Sequence, residues 1–143
     1  LGAEVQIRRE RFGEALARLD SAERLVAERG MDRPRDLSFL RGDALARLGR
    51  HAEAAVAFER EIADHPSNRQ AYARLAIVYG LLQRTYGDVD RLLARMFSAS
   101  PSAETADLAA QTLDSLADRQ GARRWEQRAA RLRSGAGGAS PRP

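Results

Sequence analysis

The sequence predicts an all-α fold, a solenoid of antiparallel helix pairs, and three observations predict it. Apolar residues make up 43% of the 143-residue chain but aromatics only 6%, so buried faces must be filled mainly by alanine and leucine, packed helix on helix. Apolar positions recur at helical spacing in runs that end at glycine or proline. Residues of like character also recur every 34 positions, at Gly42, Ala76 and Ala110, at Leu45, Tyr79 and Leu113, and at Leu48, Leu82 and Leu116. A period of that length marks a supersecondary unit that cannot bury its apolar face alone, so successive units must stack.

Taken in order, Ala3 to Arg11 read as the remnant of the first helix of a pair, with Val5 and Ile7 too few to define a face. Arg11-Phe12-Gly13-Glu14-Ala15 then starts the second helix, whose stripe of Ala15, Leu19, Ala22, Leu25 and Val26 runs to Arg29 and stops at Gly30. Pro34 keeps the connector from being helical. From Ala15 to the equivalent Ala54 is 39 residues, so this junction is looser than the others.

The first complete unit, about residues 36–67, places Phe39, Leu40, Gly42, Leu45, Ala46 and Leu48 at helical spacing, with Gly42 small where another backbone must come close. Leu48-Gly49-Arg50-His51 forms the turn, and Ala54, Ala55, Phe58 and Ile62 carry the second helix to His65-Pro66. The next unit, 68–101, has Tyr72, Leu75, Ala76, Tyr79 and Leu82 on its first helix. Its second begins near Gly87-Asp88 and buries Val89, Leu92, Leu93, Met96 and Phe97. Pro66 and Pro101 lie 35 residues apart, which puts a one-residue insertion between Gln83 and Gly87. In the third, 102–133, Ser102 caps a helix through Ala106, Ala109, Ala110, Leu113 and Leu116, and Gly121 opens the last helix with Ala122 and Ala129. There Trp125 stands one place before the expected aromatic position, which Glu126 occupies, as suits a terminal helix with one wet face. Residues 134–143, SGAGGASPRP, bury too little to offset ordering entropy and are expected to be a disordered tail.

These units resemble the tetratricopeptide repeat, with its small residue early in helix A, its alanine and aromatic in helix B, and its closing proline. The resemblance covers residues 1–133 as three repeats and a leading half repeat. It implies a superhelix whose concave face, built mainly by the A helices, takes a peptide or protein segment. The groove positions so implied are Asp36, Phe39, Asp43 and Arg47 in the first full repeat, Gln70, Ala73, Arg74, Ile77 and Leu81 in the second, and Glu104, Asp107, Gln111 and Asp114 in the third. Phe39, Ile77 and Leu81 form an apolar centre within an acidic rim, unless Ile77 and Leu81 belong to the core. Co-chaperone members clamp a terminal carboxylate with lysine, asparagine and arginine; Phe39, Asp43 and Glu104 stand where that clamp needs its lysines and asparagine, so an acidic carboxy-terminal peptide is not expected to bind.

Composition removes most chemistry. Cysteine is absent, which excludes disulfides and thiolate catalysis. The two histidines, His51 and His65, match no metal-ligand spacing and read as turn residues. Glu59 and Glu61 read as a solvated helix face, and the GAGG at 135–138 follows no strand and opens no helix. Neither an enzymatic activity nor a cofactor or metal is expected. No apolar run approaches the ~18–20 residues that cross a bilayer. All 24 basic residues are arginine, a bias of GC-rich bacterial genomes. From Ser115 onward the charge is +5, against −1 before it; the arginines around Trp125 would suit nucleic acid or another anion, or simply solubilise the cap, and nucleic acid is the less favoured partner.

The expectation is a non-catalytic protein-interaction module, with self-association through its ends allowed. The alternative is an appendage of a larger bacterial enzyme, docking its catalytic domain or a partner. Leu1 stands where a methionine would, and the chain starts inside helix-like sequence, so a fragment or a processed product is expected. A cytoplasmic location is favoured, and a periplasmic one follows if a signal has been removed.

Overall fold

The computed structural model describes residues 2–138. Within them run seven helices and no strand: α1 (Gly2–Glu28), α2 (Leu37–Arg47), α3 (His51–Asp64), α4 (Arg69–Leu81), α5 (Tyr86–Ala99), α6 (Ala103–Ser115) and α7 (Arg119–Gly138). Each of α1 to α6 packs against its successor, and α2, α4 and α6 also touch in succession. Among the described residues no close backbone approach joins α3 to α5 or α5 to α7. The even-numbered A helices therefore form an inner layer whose members touch in succession, and the odd-numbered B helices the outer one.

The 34-residue period reappears in the backbone itself. Gly49, Gln83 and Ala117 all have positive φ, at 77°, 58° and 62°. Behind each, the amide of the next residue donates to the carbonyl five positions back: Arg50 to Leu45, Arg84 to Tyr79 and Asp118 to Leu113, each at 2.9 Å. This paired helix-terminating arrangement favours glycine at the left-handed position, which only Gly49 supplies. After it α3 and α7 start two residues on but α5 starts three on, so the inserted residue lies in the Gln83 to Tyr86 turn. Thr85 uses it to cap α5, exchanging hydrogen bonds with Asp88. Ser102 caps α6 by accepting from the Thr105 amide.

The core follows the periodicity closely in the second and third repeats, where Tyr72, Leu75, Ala76, Tyr79, Val89, Leu92, Leu93, Met96, Ala106, Ala109, Ala110 and Leu113 are all buried. Gly42 lies under a ring rather than a backbone: a Cβ there would stand 2.8 Å from Cδ1 and Cε1 of Phe58.

Four expectations are corrected. Where the pattern suggested a break at Arg11, α1 is one continuous 27-residue helix; no Ser, Thr, Asp or Asn stands before Gly13 to cap a new one. In α1 the buried residue is Leu16, while Leu25 is exposed; the 11-residue α2 covers only part of the 27-residue α1. Leu40 is 51% exposed, its place in the α2 interface taken by Ser38 and Ala44. The last helix continues through Ser134 to Gly138, where a disordered tail was expected; the rest of that tail, 139–143, lies outside the described residues.

Glu61, expected on a solvated face, is 1% exposed. Its carboxylate accepts from the Asp36 amide at 2.9 Å and from Asn68 Nδ2 at 3.2 Å, and Asn68 also donates to Asp36 Oδ1 at 2.9 Å. Asp36 sits at φ 70°, a conformation that costs an L-residue free energy unless its surroundings hold it. The cluster ties the start of α2, the end of α3 and the entry to α4 into one junction.

Candidate functional site

The exposed side of the inner layer is where a partner has access to more than one repeat. Asn68, Arg69 and Gln70 at the start of α4 face Glu104, Asp107, Leu108 and Gln111 on α6 across an open cleft of about 460 Å³, with Arg35 and Ser67 at its end. Arg35 Nη1 donates to Ser67 Oγ at 3.2 Å, and Arg69 Nη1 to Thr105 Oγ1 at 3.3 Å. Both arginines are thus held on the wall by neutral hydroxyls, with charge to spare. Asp107 is bound by Arg133 of α7, whose guanidinium holds the carboxyl below the usual range. Glu104, Gln70 and Gln111 are exposed and present carboxylate and amide groups to the cleft, a lining that suits backbone amides and cationic side chains.

Of the residues carried over from the resemblance, Gln70, Glu104, Asp107 and Gln111 share this cleft. Asp36 belongs to the Glu61 junction. Phe39 is tilted against Phe58 with centroids 5.7 Å apart, which makes it part of the core margin. Asp43 pairs with Arg47 at 3.1 Å, and Arg47 in turn lies over the Phe12 ring at 5.1 Å, so this pair fastens α1 to α2. Ala73 is buried. Arg74 and Asp114 are exposed, Ile77 is half-buried and Leu81 is 57% exposed; the second helix of the inner layer therefore offers an apolar shelf beside the polar cleft.

Arg35, Ser67, Asn68, Arg69 and Leu108 line the cleft without having been singled out from the sequence. Four of the five stand in or beside the inter-repeat connectors, whereas the family's groove positions, Asp36 apart, were carried onto helix A. The pattern that could have found them is the run Ser67-Asn68-Arg69-Gln70 directly after the repeat-closing Pro66.

A larger cleft, about 960 Å³, opens between α1, the connector after it and α3. Its charges largely answer one another: Arg33 binds Asp64 at 2.6 Å, and Arg41 binds Asp20 at 2.9 Å and Glu23 at 3.5 Å. His65 Nε2 lies 3.0 Å from the Arg33 carbonyl oxygen. Among the described residues no group of three His, Cys, Asp or Glu side chains is placed to hold a metal ion, and no helix is long and apolar enough to cross a membrane.

The model of one protein family, described as Tetratricopeptide repeat, matches residues 2–69 and again 39–85, together more than half of the chain. Comparison with curated proteins finds no match.

Proposed function

The chain belongs to the tetratricopeptide repeat family, and we propose that it is a non-catalytic module that holds an extended protein segment along the inner face of α4 and α6. Tetratricopeptide repeats mediate protein–protein interaction, and the finer statement rests on one observation. Gln70, Glu104, Asp107 and Gln111, from helices a repeat apart, line a single open cleft together with Arg35 and Arg69. An extended strand laid there meets carboxylate and amide acceptors on α6 and donors at the entry to α4, while Leu81 and Ile77 offer apolar contact farther along.

Selection from a random peptide display library against the full chain tests this directly. Peptides so selected should lose about tenfold in affinity by calorimetry when Glu104→Arg is introduced, and a control change at exposed Ala94 on α5, Ala94→Arg, should leave them unaffected. Retained affinity in the Glu104 variant, or equal loss in the Ala94 variant, overturns the assignment. A peptide ending in two acidic residues and a free carboxylate should not bind in this cleft, since Glu104 repels it; displacement of a selected cleft peptide by it at micromolar concentration would contradict this.

A further inference from the structure

The outer layer carries a second surface, built by α5 and α7 and separate from the inner cleft. Arg124, Arg128 and Arg131 follow one another at helical spacing on α7, over roughly 10 Å of helix rise, and with Trp125 and Asp90 they line a hollow of about 340 Å³. None of the three arginines makes an ion pair among the described residues. The Arg128 guanidinium lies 3.9 Å from the Phe97 ring centroid and 5.2 Å from that of Trp125, and the two rings are themselves tilted together at 5.6 Å. A guanidinium laid on aromatic rings keeps its in-plane N–H edge free, and that edge matches a carboxylate with two parallel hydrogen bonds.

We propose that this hollow docks an acidic segment of a partner protein, its carboxylates taken by Arg124, Arg128 and Arg131. Charge complementarity selects the occupant, and the geometry selects carboxylate over nucleic acid. Single-stranded nucleic acid binds by stacking bases on free aromatic faces along a continuous basic track. Here Arg128 already covers Phe97 and approaches Trp125, and Asp90 interrupts the track. In a protein segment the Asp90 carboxylate has natural partners in backbone amides flanking the acidic side chains.

Trp125 is the chain's single tryptophan, so its emission reports the hollow alone. The full chain is titrated with a synthetic peptide of alternating glutamate and serine, with the glutamine counterpart, and with a single-stranded uridine oligonucleotide. The glutamate peptide should change Trp125 emission, bind about tenfold more tightly than the glutamine one, and weaken as salt is added. Arg124→Gln, which leaves Arg128 on its rings, should weaken it severalfold, and Arg124→Gln/Arg128→Gln/Arg131→Gln about tenfold. The charge-matched Arg8→Gln/Arg9→Gln/Arg18→Gln variant of α1 should bind as the parent does. Equal affinity for the two peptides, undiminished binding by the α7 variants, equal loss in the α1 variant, or tighter binding of the oligonucleotide overturns the proposal. The inner-cleft variant Glu104→Arg should leave this titration unchanged, which keeps the two surfaces distinguishable.

Discussion

Replacing Gly42 by alanine tests the packing of the first complete repeat through two opposed effects. In a helix interior alanine is favoured over glycine by about 1 kcal/mol, so an unhindered site would be stabilised. Here the new Cβ would stand 2.8 Å from two carbons of the Phe58 ring, whereas carbon atoms in contact rest at roughly 3.5–4.0 Å. The ring must therefore retreat by several tenths of an ångström. It is 1% exposed and tilted against Phe39, so it has nowhere free to go. Overpacking of this kind costs about 1–3 kcal/mol, and against the propensity gain the net is a loss of about 1 kcal/mol. Urea unfolding followed by circular dichroism should show a lower midpoint with an unchanged slope. The double variant Gly42→Ala/Phe58→Leu should be less destabilised than the sum of its parts, with coupling of about 1 kcal/mol. A Gly42→Ala chain more stable than the parent, or strict additivity in the double variant, would refute the contact.

Three further outcomes follow from the same structure. Gln83 and Ala117 hold the left-handed turn position that Gly49 holds in the first repeat, so Gln83→Gly and Ala117→Gly should each raise stability by about 0.5–1 kcal/mol in urea unfolding; a loss at both would show that the turn is not strained. Glu61→Ala strips acceptors from the Asp36 amide and Asn68 and should cost about 2–4 kcal/mol, more than Glu61→Gln, which can still accept; equal midpoints for the two would remove the junction's role. Burial, followed by the hydrogen bond to Glu59, pushes the Tyr79 hydroxyl up from 10 to about 12. Since the unfolded chain ionises first, the contribution of the neutral phenol is whole below pH 10 and is lost as pH rises toward about 12; Tyr79→Phe should flatten the stability–pH curve in that window, and a curve unchanged by the substitution would contradict the burial.

The repeat period and most of the core were legible because they are written in side-chain character at helical spacing. Leu45, Tyr79 and Leu113 are buried equivalents, and the turns behind them fall at 49, 83 and 117. Even the insertion was legible from the proline spacing. What was hidden depended on neighbours far along the chain. Glu61 looks like any carboxylate on a polar helix face, and its burial follows from an amide 25 residues before it and an amide group seven after. Leu40 and Leu25 look like core leucines, and their exposure follows from which faces α1 and α2 turn to each other.

The candidate site divides in the same way. Amino-acid order alone determined that helix pairs repeat, stack and leave an inner face, since an amphipathic hairpin has no other means of covering its apolar side. Only tertiary packing decided which inner-face residues share one cleft, because that depends on the angle between α4 and α6 and on the connectors. Packing likewise turned Phe39 toward Phe58, committed Asp107 to Arg133, and laid Arg128 on the rings of Phe97 and Trp125. A side chain's availability to a partner is what remains after its own fold has used it, and that remainder is a property of the assembled helices.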